Sequence, residues 1–239
     1  MRGQDFLFNL DGQTSHMDSM TDPETDLEIN CRAQLTLLEA CRKHNPKLRV
    51  VFASTRQIYG RPDYLPVDEK HPLRPVDVNG INKLAGEEYH LLYSEVHGIQ
   101  STVLRLTNTI GPRMRVKDAR QTFVGIWIRQ ILEGQPVEVW GGDQLRDFTY
   151  VDDIVEGVIR VSDRTATANP DYRPDTPDPA TSNVPFRVFN IGNHDPVPLL
   201  DFIGAIEDAL GMKAEKNLLP LQDGDVPATY ADVEALENW

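Results

Sequence analysis

The stretch RVVFASTRQIYGRPDYLPVDEKHPLRPVDVNGINK, residues 49–83, constrains the fold more than any other. Val50, Val51 and Phe52 form a β-branched and aromatic run of the kind that fills a buried strand. The run ends in two small hydroxyl residues, Ser54 and Thr55. A loop rich in proline and charge follows. A helix is predicted to start near Val76 and to carry Lys83 in its second turn. A buried strand that delivers hydroxyls to its carboxyl end, beside a helix that delivers a lysine, is how an α/β sheet builds a site at its strand ends.

Composition narrows the partners. The chain has 239 residues, 40% of them hydrophobic and 26% charged, enough for a real core in a globular protein. A formal net charge of −13 argues against non-specific nucleic-acid binding, which needs a basic surface. No apolar run approaches the roughly 18–20 residues of a membrane span. The opening MRGQDFLFNLDGQ has no apolar region long enough for a secretory signal. Cys31 and Cys41 lie on one predicted helix, which does not favour a bridge, and two unpaired cysteines fit a reducing cytoplasm. The six histidines are scattered without ligand spacing, so no metal site is expected.

Other elements follow from local pattern. Phe6 to Leu10 is predicted as a short buried strand. Asp22-Pro23 starts a helix, and Leu27, Cys31, Leu35, Leu38 and Cys41 fall on one face of it. Asn45-Pro46 stops it. In the helix from Val76, the predicted core face is Ile81, Ala85, Tyr89, Leu92 and Val96, with Lys83 off it. Residues 101–111 read as a β-rich run closed by Gly111-Pro112. Arg113, Arg115, Lys117 and Arg120 then make a locally basic run, either a solvated face or a diphosphate patch. A helix is expected from about residue 122 to 132, ended by Gly134, then a strand at 137–140 and a turn at Gly141-Gly142-Asp143. Asp152 and Asp153 suit a helix start. Residues 163–184 lack periodicity and read as a mobile surface loop. A strand at 186–192 and a helix at 199–210, with Gly211 past its end, complete the pattern.

Several of these segments together resemble the extended short-chain dehydrogenase/reductases, the NAD-dependent nucleotide-sugar epimerases, dehydratases and decarboxylases. ASTRQIYG resembles that family's hydroxyl-bearing strand end, and NGINK sits where the family has YxxxK. DGQTSHMDSMTDPETDLEIN is similar to HLAAQ…S…DP…N, STVLRLTNTIG to LRxxNxYGP, and QLRDFTYVDDIVEGV to the R-D-F-x-x-V-x-D signature. FNIGN and GDVPATYAD also match, the latter resembling UDP-uronate and UDP-hexose epimerases. The resemblance implies an α/β fold: a Rossmann-like parallel sheet lacking its first strands and Gly-rich turn, with a smaller interleaved α/β substrate-binding part. Residues 1–112 with 145–163 and 185–192 would form the first part, and 113–144 with 193–239 the second, with the loop at 163–184 outside both. It implies NAD against Leu10, Asp11, Gly12, Asn30, Ala53, Ser54, Lys83 and Leu106, and a nucleotide sugar against Thr107, Asn108 and Arg146. Thr55, Asn79 and Lys83 stand at the catalytic positions. It further implies a homodimer through the helices at 23–44 and 76–97, or a partner covering a sheet edge.

Three departures bear on function. No GxGxxG or GxxGxxG occurs, although a dinucleotide's pyrophosphate needs such a turn. By resemblance the first strand here is the family's fourth, which would leave an exposed apolar edge. Asp11 either faces the dinucleotide phosphates, where like charge disfavours binding, or turns to solvent. Asn79 replaces a tyrosine, and an amide cannot titrate as a phenol does. Asp77 and Thr55 are the nearest substitutes. Asp77 would need a raised pKa to act as a base, or it simply caps the helix. Three functions stay open: an epimerase or dehydratase acting on an NDP-hexose or NDP-uronate, a UDP-sugar- or partner-binding paralogue, and a shortened inactive remnant.

Overall fold

The computed structural model describes residues 1–117, 123–221 and 225–239. In chain order it contains β1 (Phe6–Asn9), α1 (His16–Thr21), α2 (Pro23–Leu27), a π-helical turn (Glu28–Arg32), α3 (Ala33–His44) and β2 (Arg49–Thr55). After a 3-10 turn (Arg56–Tyr59) come α4 (Val78–His97), β3 (Ser101–Leu106), β4 (Asn108–Ile110), α5 (Phe123–Leu132), β5 (Val137–Trp140), β6 (Leu145–Arg146), β7 (Phe148–Tyr150) and α6 (Val151–Asp163). The chain continues through β8 (Phe186–Ile191), β9 (Val197–Pro198), α7 (Leu199–Leu210), β10 (Lys216–Leu219) and α8 (Glu234–Asn238).

The main sheet has four parallel strands in the order β1-β2-β3-β8. Its residues alternate between two packed faces, as strand geometry requires. Phe52, Val103, Phe186 and Val188 form one buried cluster, joined by Leu91 of α4. Val51, Leu104, Phe189 and Ile191 pack with Ile154, Val158 and Val161 of α6 on the other. A separate core joins α5, β5 and α7 through Trp127, Ile131, Val137, Val139 and Ile203. The smaller sheets are β5 with β10 and β4 with β7, both parallel, and β6 with β9, antiparallel. This is an α/β fold with a parallel four-stranded sheet. Strand β1 lies at its edge, with Phe8 and Leu10 exposed.

The strongest departure from the sequence reading is α4. Its buried face is Asn79, Gly80, Asn82, Lys83, Gly86, Glu87, His90, Tyr93 and Ser94. Ile81, Leu92 and Val96, predicted as core, are exposed. The helix is rotated so that polar residues face inward. That is tolerable because most polar groups in this seam find hydrogen-bond partners, Asn30 Oδ1 and His90 Nε2 being exceptions. Asp26 accepts from Asn82 at 2.8 Å and from Asn79 at 3.1 Å. The Gln13 carbonyl accepts from Asn79 and Asn30, and Asn9 donates to Gln34. The helix at 23–44 shows the same shift: Leu27 is exposed, and its buried face begins Asp26, Asn30, Gln34 before reaching Leu38 and Cys41. It is also broken by the π turn.

Other corrections are smaller. The helix predicted near Val76 begins at Val78, with Asp77 as its N-cap. The loop predicted at 163–184 starts one residue later, Asp163 being the last residue of α6; the rest forms no helix or named strand, yet it folds back on β8 rather than standing free. Asn169 N–H donates to the Ser182 carbonyl, Val188 N–H donates to the Ala180 carbonyl, and Thr181 bridges Arg187. Arg113, Arg115 and Lys117 are exposed, while Arg120, Thr122, Asp223 and Gly224 of the predicted segments lie outside the described residues.

The carboxyl end of the sheet is tied by one buried network. Glu87 of α4 pairs with Arg105 of β3 at 2.7 Å, both almost fully buried, and also accepts from Ser54. Arg105 donates to the Tyr59 hydroxyl at 2.9 Å, and Tyr59 donates to Asn190 of β8 at 2.6 Å. Burial opposes the charge on Arg105, but Glu87 and Tyr59 together outweigh it and hold the guanidinium above its ordinary value. Removing one partner of such a pair strands the other charge. Glu87→Ala is therefore expected to cost about 3–5 kcal/mol in urea unfolding; a loss below about 1 kcal/mol would contradict the role given to this pair.

Candidate functional site

A cleft of about 420 Å³ opens past the carboxyl ends of β2 and β3. One wall is the segment Thr14 to Met17, the 3-10 turn residues Arg56 and Gln57, then Gly60, Val76 and Asp77. The other is α5 with Glu138, Trp140, Arg146, Asp225 and Val226. Gly60 permits this shape. Its φ is +67° and a Cβ there would lie 2.0 Å from the Arg74 carbonyl oxygen, so the loop can only pass with glycine.

Asp77 organises the first wall. Its Oδ1 accepts from the Gly80 N–H, capping α4. Its Oδ2 accepts from Gln57 at 3.2 Å and lies 2.8 Å from His16 Nδ1. A carboxylate accepts, so Nδ1 donates and the imidazole's remaining lone pair is on Nε2. His16 lines the cleft, held there by its bond to Asp77. Asp77 itself is buried and committed to three donors, so the capping reading is the one the structure favours. Sequence reasoning passed over His16 because no motif marks it; only the fold carries it to Asp77, 61 positions away.

The other expected site residues divide. Asn108 and Arg146 line the cleft. Arg146 is already engaged: Nη2 donates to both Asp225 oxygens at 2.8 Å, and Nη1 donates to the Leu145 and Val226 carbonyls. Four of its five donors are used. Thr107 is buried in a hydroxyl pair with Thr149 at 2.6 Å. Thr55 accepts from the Gln57 N–H and so starts the 3-10 turn. Asn79 is 1% exposed and faces the interhelical seam rather than the cleft. Leu106 packs against the α6 side of the sheet.

Lys83 lies under the sheet edge. Its ammonium donates to the Ala53 carbonyl at 3.0 Å and the Asp11 carbonyl at 3.5 Å, and it is 4% exposed. Burial pulls it down to about 8, against the opposing pull of Asp11, Asp26 and Glu87. The Asp11 side chain is exposed and accepts from the Gly12 N–H. Asn30 Oδ1 is a buried acceptor without a partner. Leu10 is exposed.

The chain matches the model of the NAD dependent epimerase/dehydratase family over residues 1–174. It is 39% identical over 220 residues to an uncharacterised 37.6 kDa protein in the cld 5′ region of Escherichia coli O111:H-, covering 91% of this chain and 64% of that protein. It is 30% identical over 238 residues to UDP-glucuronate 4-epimerase 1 of Arabidopsis thaliana, covering 97% of this chain and 53% of that enzyme. Among solved structures, a UDP-N-acetylglucosamine 4-epimerase from Methanobrevibacter ruminantium M1, in complex with UDP-N-acetylmuramic acid, superposes with a TM-score of 0.84 at 25% identity. That match covers 99% of this chain and 70% of the other. The chain thus spans about half to two thirds of the length of these curated relatives.

The family's relatives bind NAD, but the residues described here do not by themselves fit that group. The Lys83 ammonium is covered and bonded to two carbonyls, and the Ser54 hydroxyl is committed to Glu87. A Cβ at Gly12 would lie 2.8 Å from Lys83 Nζ and 3.0 Å from Asn30 Oδ1, so this corner is closely packed.

The buried lysine has a pH signature. Between about 8 and 10.5 the unfolded chain holds a proton at this position that the folded chain has released. Raising the pH through that window therefore stabilises the folded state, and below it the cost of burying the cation is fully present. The stability of the protein relative to its Lys83→Met variant is expected to rise across that window in denaturant titrations; a flat difference would contradict a buried, depressed lysine.

Proposed function

The chain belongs to the NAD-dependent epimerase/dehydratase family, and from that premise we propose that its cleft holds a nucleotide sugar. The observation that carries this reading is the cleft itself. It lies at the strand ends, where open α/β sheets place ligands. It joins Asn108 and Arg146, at positions resembling the family's substrate asparagine and diphosphate arginine, to aromatic residues Phe123, Trp127 and Trp140. The α5 and β5 wall offers a nucleotide base apolar surface, and the opposite wall offers a sugar His16 and Gln57 as hydrogen-bonding groups. The relatives compared above include proteins named for UDP-sugars, which supports a uridine diphosphate as the nucleotide. The reading is one of binding: substrate grip is present in these residues, and Asn79 offers no titratable phenol.

Arg146 and Asp225 make the reading testable. A diphosphate approaching Arg146 competes with the carboxylate already bonded to it. Calorimetric titration with UDP should show binding that Arg146→Ala weakens by about 1–3 kcal/mol, the contribution of a charged hydrogen bond. Asp225→Asn, which lifts the competing charge, should tighten it. Absence of binding, or affinities that neither variant moves, would remove the nucleotide-sugar assignment.

A further inference from the structure

Arg56 is the charged side chain on the cleft wall to which the preceding reading gives no task. It begins the 3-10 turn directly after Thr55, at the end of β2, and it lines the cleft. The carboxylates nearest to it in the field are already engaged. Asp77 is held by Gly80, Gln57 and His16, and Asp225 by Arg146 and the Val226 N–H. Glu138, the other acidic residue on the wall, is exposed on β5. Among the described residues the Arg56 guanidinium has no ion-pair or hydrogen-bond partner. Burial and then the neighbouring Arg146 lower it to about 10, against Asp225 and Asp77, which leaves it a cation at neutral pH. A half-buried guanidinium without an acceptor carries a desolvation cost that an anionic ligand relieves. Its planar fork suits two oxygens of one group.

We propose that Arg56 is a carboxylate subsite that selects a nucleotide-linked uronic acid over the matching neutral hexose. This rests on the nucleotide-sugar reading of the same cleft. Two arginines divide the ligand between them. Arg146, from β6, is assigned to the diphosphate. Arg56 projects from the end of β2, beside Gln57, whose amide is bonded to the Asp77 that holds His16. That is the wall where the sugar lies in this reading. A carboxylate on the sugar satisfies the fork there without displacing either Asp77 or Asp225 from its partners.

The same fork would also accept a phosphate, so three ligands are needed to separate the sources. UDP, UDP-glucose and UDP-glucuronate are titrated calorimetrically into the protein and into its Arg56→Gln and Arg56→Lys variants. The unaltered protein is expected to prefer UDP-glucuronate over UDP-glucose by about 10- to 100-fold. Arg56→Gln should abolish that preference while leaving UDP and UDP-glucose within about twofold. Arg56→Lys, a point charge without the fork, should retain part of it. The inference is overturned if the unaltered protein shows no preference, if Arg56→Gln keeps it, or if Arg56→Gln weakens all three ligands alike, which would assign Arg56 to the diphosphate. If UDP itself fails to bind, the nucleotide-sugar reading falls first and takes this subsite with it. If UDP binds without discrimination between the sugars, only the subsite falls.

Discussion

Glu87 and Arg105 meet where α4 crosses the carboxyl end of the parallel sheet, and most of what surrounds the cleft hangs from that pair. Through Ser54 it holds the end of β2, and through Tyr59 it holds the 3-10 turn that presents Arg56 and Gln57. Through Asn190 it reaches β8, where the same asparagine accepts from Tyr59 and donates to the Val67 and Asp232 carbonyls. Glu69 completes the tie by accepting from the Asn190 N–H at 2.6 Å. Three strands, a helix, a turn and two loops are thereby fixed relative to one another at the carboxyl end of the sheet. Buried charge is a costly way to do this, and it works because the carboxylate meets the guanidinium directly and hydrogen-bonded neighbours surround both.

The cleft inherits its geometry from that frame. Asp77 caps α4 and at the same time orients His16 and Gln57, so the helix start and the cleft wall are one structure. Across the opening, Arg146 is fixed by Asp225 and by two backbone carbonyls. The two walls differ in what they leave free. On one side the Arg146 guanidinium is paired with Asp225; on the other, the Arg56 guanidinium has no carboxylate bonded to it among the described residues.

Much of the fold was legible in the sequence. The β-branched runs marked β2, β3 and β8. Glycine and the acidic first-turn residues placed the ends of α5, α6 and α7. Motif order placed Asn108 and Arg146 in the cleft. What failed was the assumption that the apolar stripe of a helix is its buried face. In α4 Ile81, Leu92 and Val96 point out, and Asn79, Asn82, Lys83 and Glu87 point in. Periodicity finds the stripe but not which side is covered, because a polar seam can be buried when it is mutually satisfied. The same limit hid Arg105, which reads as an ordinary strand residue until Glu87 is set beside it. His16 and Arg56 were invisible for another reason. Their importance lies in having, or lacking, a partner far away in sequence, and neither state leaves a local mark.

The central claim is that ligand grip belongs to the cleft between Arg56 and Arg146 and not to the packed corner around Lys83. Hydrogen–deuterium exchange in the presence and absence of UDP-glucuronate tests it most directly. The account predicts slowed exchange in the segments that line the cleft, residues 14–17, 56–60 and 137–146, with residues 9–12 and 53–55 unchanged. Protection centred on the second pair of segments, or none anywhere, would contradict it.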